Sequence, residues 1–327
     1  MNLISLNIRG LREAHKLDWI KRIRKENKTM VFGLQETRMA TIPSNITSWW
    51  EDADVGVEFV ESVGLSGGLI TLWDKKMFQL IDIIKARNLL ALVGHWSGIT
   101  GETILVNVYA PQPPREKKEL WERIQNLMRS RTGTWVVFGD FNAVRSPEER
   151  LNSAFCPRTA ATFNRFILNA GLNDLNMGGR KFTYFCDDGC KHSKLDRVLV
   201  CSNFLGSFPN ASLLALPREH SDHTPIVLRT SFMDFGPTPF RFFNSWMQRE
   251  DFDSLEKIKW WRRENYDKEL KVIKELREKV NSLELEAESR MLMESEIRER
   301  RELKQKIMEL EGIEKADLMQ KAKASGI

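Results

Sequence analysis

Short runs of apolar residues, bounded by turn residues, dominate the first 232 residues of the chain. The runs are rich in β-branched and aromatic residues, which predicts strands. They lie at Asn2–Ile8, Met30–Gln35, Val55–Val63, Gly68–Trp73, Leu89–Trp96, Thr103–Tyr109, Thr134–Phe138, Leu195–Val200 and Pro225–Thr230. Amphipathic stretches at His15–Glu26, Glu116–Arg131 and Arg158–Ala170 predict helices. Because these elements do not alternate regularly, the pattern indicates two packed sheets flanked by helices.

The pattern changes near residue 240, where proline disappears and charge rises. All 11 prolines lie before Asn244, and 39 of the 82 residues from Trp246 onward are charged. Apolar residues recur there near a helical period, from Tyr266 to Leu283 and again from Ile297 to Leu310. We therefore predict a first domain over residues 1–232, a linker over 233–245 and a charged helical region over 246–327. An antiparallel helical hairpin is expected for that region, with one long helix as the alternative.

Composition and charge exclude some classes of protein and favour others. With 42% hydrophobic residues and 10 tryptophans, the chain can bury a sizeable core. It has no run of 18 uncharged apolar residues for a membrane span and no recognisable secretory signal, and its four cysteines fit a reducing compartment. The net charge of +5 comes from residues 1–245, which carry 31 basic and 25 acidic residues. A polyanion could use this excess, although an ordinary basic protein would show it too.

Polar residues stand where the predicted strands end or begin. Rigid scaffolds often display functional groups at such positions. Each residue alone is also explained as an ordinary turn residue, so only their joint occurrence favours a site. The eight residues are Asn7, Glu36, Tyr109, Asp140, Asn142, Asp196, Asp222 and His223.

This set is suited in type to the hydrolysis of a phosphodiester bond. That reaction requires charge neutralisation, an activated water and a stabilised leaving alkoxide. Mg²⁺ prefers one or two carboxylates with further oxygen ligands, so Glu36 with Asp222 or the nearby Asn7 would suit it.

The remaining members of the set suggest acid–base chemistry. Asp140 could orient or deprotonate a water, with Asn142 holding a phosphate oxygen. His223, with its ring fixed by Asp196, could stabilise a pentavalent phosphorane. No glycine-rich phosphate loop and no GxSxG nucleophile motif is present in the sequence to compete with this interpretation.

Six blocks in the same order resemble the endonuclease/exonuclease/phosphatase superfamily. They are Leu6–Leu11, Leu34–Thr37, Asn107–Pro111, Gly139–Asn142, Leu195–Arg197 and Ser221–His223. The resemblance implies an α/β fold, specifically a four-layer α/β sandwich, and a divalent cofactor, Mg²⁺ with Mn²⁺ as a possible substitute.

The resemblance also implies a role for each of the eight residues. Asn7 and Glu36 would serve the metal site, Tyr109 and Asn142 would contact phosphate, and Asp140 would position the attacking water. In the same way, the resemblance implies that Asp196 supports His223 and that Asp222 lies beside both the metal and His223.

A finer resemblance is to the endonuclease domains of plant LINE-type (non-LTR) retrotransposon proteins. Gly64–Trp73, Arg180–Tyr184 and Phe240–Trp246, followed by a charged helical region, carry it. Arg9 stands where abasic-site repair enzymes carry an aspartate, which argues against a repair role. No reverse-transcriptase motif follows the helical region, so we expect a fragment, a truncated element copy or a host gene derived from one.

The expected function is therefore Mg²⁺-dependent nicking of DNA. The alternatives are a phosphatase or exonuclease of the same fold acting on another phosphoester, and an inactive truncated copy that acts only as an interaction protein. We expect a nuclear protein, or a cytoplasmic one before import, that is not secreted and has no membrane partner. The helical region could mediate self-association or bind a protein partner.

Overall fold

The computed structural model describes residues 1–42, 46, 50, 54–64, 66–186, 191–230 and 271–324. The chain divides into two compact units, Met1–Ser231 and Phe232–Ile327. The linker predicted over 233–245 lies outside the described residues, and the predicted domain boundaries stay predictions. Among the helices that are described, none is long and apolar enough to cross a membrane.

Two large sheets form the centre of the first unit within its described residues. The seven-stranded sheet has the order β11 (Met177–Gly178), β15 (Ser212–Ala215), β16 (Ile226–Arg229), β1 (Asn2–Asn7), β2 (Val31–Gln35), β4 (Ser66–Asp74) and β3 (Val55–Val63). The six-stranded sheet has the order β10 (Leu172–Asp174), β14 (Asp196–Cys201), β8 (Thr134–Asp140), β7 (Thr103–Tyr109), β6 (Leu89–Trp96) and β5 (Phe78–Ala86). A small third sheet has the order β12 (Tyr184–Phe185), β13 (His192–Ser193) and β9 (Arg150–Leu151).

The helices cover the outer faces of the two large sheets. Helix α1 (Ala14–Glu26) packs Trp19, Ile20 and Ile23 against the seven-stranded sheet. Helices α2 (Pro114–Ser130) and α3 (Pro157–Asn169) pack against the six-stranded sheet, and a short helix α4 (Ser202–Ser207) follows β14. The resulting order is helix, sheet, sheet, helix, so the predicted four-layer α/β sandwich is confirmed.

Alternation along β8 shows how one strand serves two of these layers. Val136 and Phe138 pack into the cluster between the two sheets, whereas Val137 packs into the cluster under α2 and α3. Successive side chains of a strand point to opposite faces, and both faces of this strand are covered. This explains why the run is continuously apolar.

Two features hold the sheets at a fixed separation near the ends of β2 and β8. Gly33 faces the Phe138 ring so closely that a Cβ at residue 33 would lie 2.3 Å from a ring carbon. Asn107, on β7, donates from Nδ2 to the Leu34 carbonyl at 3.3 Å and accepts from the Gln35 Nε2 at 2.7 Å. The side chain of Asn107 is buried, so these hydrogen bonds also satisfy polar groups that have no access to water.

The second unit contains helix α5 (271–286) and helix α6 (Glu294–Ala324). Leu276 and Val280 pack against Ile307. Arg277 pairs with Glu311 at 2.6 Å, and the fully buried Glu284 pairs with Arg300 at 3.2 Å. Arg277 thus meets Glu311, whereas Glu284, further along α5, meets Arg300, which lies nearer the start of α6. This reversal confirms the antiparallel hairpin and excludes one continuous helix over this range.

Candidate active site

The predicted site residues from the two sheets meet because of parallel strand pairing. Strands β1 and β2 are parallel neighbours in one sheet, and β7 and β8 are parallel neighbours in the other. Asn7 ends β1, Glu36 follows β2, and Tyr109 and Asp140 are register partners at the ends of β7 and β8. Parallel strands end at the same edge of a sheet, and the two sheets are packed face to face, so these four side chains meet.

A cleft of about 460 Å³ opens at this edge. Six of the eight predicted residues line it, namely Glu36, Tyr109, Asp140, Asn142, Asp222 and His223. The other two lie beneath it, where Asn7 bonds to Asp140 at 3.0 Å and Asp196 bonds to His223 at 2.8 Å. All eight residues therefore belong to one constellation, although their catalytic roles stay predictions.

His223 is buried between two aspartates. Its Nδ1 lies 2.8 Å from Asp196 Oδ2, and its Nε2 lies 3.9 Å from Asp140 Oδ2. Burial lowers the pKa of His223, but the negative charges of Asp196 and Asp140 outweigh that effect and raise the pKa to about 10. The imidazole is therefore a cation at neutral pH, with its orientation fixed through Nδ1.

Asp140 is fully buried and accepts hydrogen bonds from Asn7 and Asn142. Its Oδ1 accepts the backbone N–H of Asn142 at 2.8 Å, and its Oδ2 accepts Nδ2 of Asn7 at 3.0 Å. Its register partner across the β8–β14 pair is Asp196. Burial raises the pKa of Asp140 to about 6, although the adjacent His223 opposes the rise. A carboxylate with this pKa is ionised at neutral pH and is a stronger base than an exposed aspartate.

Glu36 lies on the opposite side of the cleft. Its Oε2 accepts the Tyr109 hydroxyl at 3.2 Å and Nδ2 of Asn7 at 3.3 Å, and its Oε1 pairs with Arg38. Burial, followed by the charge of Glu36, raises the pKa of Tyr109 above its usual range. The phenol therefore stays protonated and acts as a hydrogen-bond donor.

Asp222 completes the acidic side of the cleft and pairs with Arg9. With Glu36 and the Asn7 side-chain oxygen it forms a set of hard oxygen donors, which fits a cation such as Mg²⁺ in chemical type. The ligand atoms that already lie within 4.8 Å of one another in this part of the molecule belong to Asp140, Asp196 and His223. The two carboxylates predicted for the metal are held by arginines instead, Asp222 by Arg9 and Glu36 by Arg38.

Sequence reasoning missed two buried lysines that support the site. Lys16 donates to backbone carbonyls after β1, and Lys117 donates to the Asn142 carbonyl at 2.5 Å. A signal for both was present in the sequence. Each lysine stands in the apolar stripe of its helix, at a position where the period predicts an apolar residue. Lys16 precedes Trp19 and Ile20 by three and four residues, and Lys117 precedes Leu120 and Trp121 in the same way.

Comparison with known proteins supports the fold. The sequence profile of the endonuclease/exonuclease/phosphatase family matches residues 4–223. No curated protein sequence matches the chain.

Among solved structures, a 3′ phosphatase from Neisseria bound to a product DNA hairpin is 16% identical with a TM-score of 0.56, over 71% of this chain and 100% of that chain. An AP endonuclease from Archaeoglobus fulgidus is 18% identical with a TM-score of 0.55, over 70% and 99%. An AP endonuclease from Leishmania major is 14% identical with a TM-score of 0.56, over 69% and 86%. At these identities the similarity shows the fold.

Proposed function

Because the chain belongs to the endonuclease/exonuclease/phosphatase family, whose members hydrolyse phosphoester bonds, we propose that it is a Mg²⁺-dependent endonuclease that nicks DNA, of the kind carried by LINE-type retrotransposons. The observation that carries the proposal is the meeting of the His223–Asp196 pair and Asp140 in one cleft. A cation and a strong carboxylate base thus lie on the same side of the space that a phosphate would occupy.

Asp140 is the group that accepts a proton from the attacking water. Its three hydrogen bonds, one from Asn7 and two from Asn142, fix the direction of its remaining lone pairs. Its pKa of about 6 leaves it ionised yet basic at neutral pH. The water oxygen forms the new bond to phosphorus as its proton passes to Asp140, the bond between phosphorus and O3′ breaks, and O3′ takes up a proton from solvent.

His223 stabilises the charge that develops on the phosphate. Its Nε2–H has no hydrogen-bond partner among the described residues, because Asp140 Oδ2 is 3.9 Å away. The imidazolium can therefore donate to a phosphate oxygen, and the Tyr109 phenol, which donates to Glu36 at 3.2 Å, lines the same cleft. Fixed donors aimed at developing charge are usually the largest contribution to catalysis.

Glu36, Asn7 and Asp222 would hold the divalent cation. The cation would neutralise phosphate charge and stabilise the leaving O3′ alkoxide. Two further observations support DNA as the substrate. Residues 1–245 carry the positive excess of the chain, and a relative of the same fold is bound to a DNA hairpin. The LINE assignment rests on the sequence blocks Gly64–Trp73, Arg180–Tyr184 and Phe240–Trp246.

Supercoiled plasmid incubated with the protein and Mg²⁺ or Mn²⁺ tests the proposal. We expect conversion to the open-circular form, which excess EDTA abolishes and Asp140→Ala prevents. Asp82→Ala is the matched control, because that carboxylate is partly exposed on β5 and pairs with Arg131 away from the cleft. Undiminished nicking in EDTA would refute the metal-dependent mechanism. Release of a 3′ phosphate from an oligonucleotide without nicking would identify a phosphatase instead.

A further inference from the structure

Two buried lysines lie behind the active site and take no part in the mechanism above. Lys16 belongs to α1 and Lys117 to α2, and both side chains are buried with the apolar faces of their helices. Burial lowers the pKa of each lysine below its usual range. A buried ammonium is costly unless it is fully hydrogen-bonded, so the partners of these two groups indicate what they do.

Lys16 binds the turn that follows β1. Its Nζ donates to the carbonyls of Ile8 at 3.1 Å, Arg9 at 3.2 Å and Gly10 at 3.0 Å. An ammonium has three donors and no acceptor, so three carbonyls use its full capacity. Asn7 lies directly before this turn.

Lys117 binds the turn that follows β8. Its Nζ donates to the carbonyl of Asn142 at 2.5 Å. Asp140 lies directly before this turn, two residues from Asn142. The two helices stand differently along the chain relative to these turns. Helix α1 follows β1, whereas α2 precedes β8.

The two turns have the same geometry. In the first, the Arg9 N–H donates to Asn7 Oδ1 at 3.0 Å, and in the second the Asn142 N–H donates to Asp140 Oδ1 at 2.8 Å. Arg9 has φ +48° and Asn142 has φ +47°, a left-handed conformation that residues other than glycine adopt infrequently. In both turns the lysine binds the carbonyl of this left-handed residue, and Lys16 also binds the carbonyls on either side of it.

We propose that Lys16 and Lys117 are positioning residues that lock these two turns and thereby orient Asn7 for the metal and Asp140 for the attacking water. The inference rests on the proposed function, because it assigns an effect on those two steps. Without the ammonium, the left-handed residue can relax to ordinary φ values. The N–H that it donates to Oδ1 then turns away, and the side chain of the strand-terminal residue loses its fixed rotamer.

The first turn also reaches Glu36. The Gly10 N–H donates to the Glu36 carbonyl at 2.7 Å, while the Gly10 carbonyl is held by Lys16. Lys16 therefore supports two predicted metal ligands, Asn7 and Glu36. Lys117 supports Asp140 and Asn142. This division predicts different defects for the two lysines.

The experiment compares Lys16→Met and Lys117→Met in the full chain, with Mn²⁺ binding measured by calorimetry and plasmid nicking measured at saturating Mn²⁺. For Lys16→Met we expect Mn²⁺ binding weakened about 10- to 100-fold, the range for groups that orient metal ligands. For Lys117→Met we expect an unchanged Mn²⁺ Kd and a kcat lowered by about the same factor, with KM for plasmid unchanged.

Lys194→Met is the matched control. Lys194 is also largely buried, and its Nζ lies 4.0 Å from Glu149, but it binds neither turn. This variant should lose stability while keeping the Mn²⁺ Kd and the kcat of the unaltered chain. Lys16→Arg and Lys117→Arg keep the charge and several donors, so they should be more active than the methionine variants. If the lysines only filled space, the arginine and methionine variants would be equally impaired.

Unchanged Mn²⁺ affinity in folded Lys16→Met, or unchanged kcat in folded Lys117→Met, would overturn the inference while leaving the proposed function intact. Equal losses in Lys194→Met would overturn it too, because the effect would then reflect general destabilisation. If either methionine variant fails to fold, the arginine variant of the same position decides. A partial loss confined to Mn²⁺ affinity for Lys16→Arg, or to kcat for Lys117→Arg, supports the role, and any other result overturns it. An unaltered chain that neither binds Mn²⁺ nor nicks DNA would refute the proposed function, and the inference with it.

Discussion

Replacing His223 with alanine removes the one imidazole of the cleft and leaves two buried aspartates facing the space. In the intact site, the ring nitrogen lies 2.8 Å from Asp196 and the imidazole pKa is about 10. The ring is therefore protonated at neutral pH. The donor that the mechanism requires is present in nearly every molecule.

The expected loss follows from this role. Removing an acid–base or charge-stabilising group lowers turnover by about 10²–10⁴-fold, which corresponds to about 3–5 kcal/mol of activation free energy. Stability should fall as well, because Asp196 and Asp140 are each only 1% exposed and lose their cation. Removing one partner of a buried pair costs about 3–5 kcal/mol. The two effects must be measured separately.

A second substitution separates them. Asp196→Asn should cost less activity than His223→Ala, because it removes the support of the ring and leaves the ring itself. The double variant should be little less active than His223→Ala, since residues that act as a unit are non-additive. It should nevertheless be more stable than His223→Ala, because the unpaired buried charge at residue 196 is gone.

The assay is plasmid nicking at saturating Mg²⁺, with circular dichroism and urea unfolding for each variant. Rates are compared only for variants that are folded under the assay conditions. Full nicking activity in folded His223→Ala would end the catalytic assignment. A double variant with much lower activity than His223→Ala would show that Asp196 acts independently of the ring.

Two further outcomes are expected. Val137 lies on the face of β8 under α2 and α3. Val137→Ala should lower the free energy of unfolding, measured by urea denaturation, by about 2–3 kcal/mol, because transfer energy is lost and a cavity is left. An unchanged free energy of unfolding would mean that the layer repacks. The logarithm of the DNA affinity should fall linearly with the logarithm of the salt concentration. Residues 1–235 alone should retain most of the affinity, because residues 246–327 carry a net charge of −1. If residues 1–235 do not bind DNA in an anisotropy titration, the binding belongs to the helical region.

The sequence patterns predicted most of the regular elements because both sheets are covered by helices. The nine predicted strands and three predicted helices are present, most with bounds within two residues. Strand β5 was missed. It lies at the edge of its sheet, and its pairing with β6 shifts between Leu80 and Asp82, so the alternation of apolar and polar residues breaks midway. The strands of the small sheet have two residues each, and β10, β11 and β15 have two to four, so all of them are too short to give a period.

The site was predicted from strand ends, and the structure brings all eight residues together. Pairings between distant residues were not accessible to this reasoning. Arg9 and Asp222 are separated by 213 positions, and their pairing depends on β1 lying beside β16. The supporting lysines were missed for a different reason. A lysine in an apolar stripe usually buries its alkyl stem and keeps its ammonium in water, and the sequence does not distinguish this case from a buried ammonium.

The close contact between Gly33 and Phe138 has a consequence for how sequence variants of this protein should be interpreted. Any side chain at residue 33 must push the two sheets apart or displace the ring. Glu36 is attached to one sheet and Asp140 to the other, so a wider spacing would separate the two sides of the cleft although residue 33 touches no substrate. A mutational scan would then score residue 33 as strictly as a catalytic residue. Only a spectroscopic or crystallographic measure of the distance between the sheets would show that its role is that of a spacer.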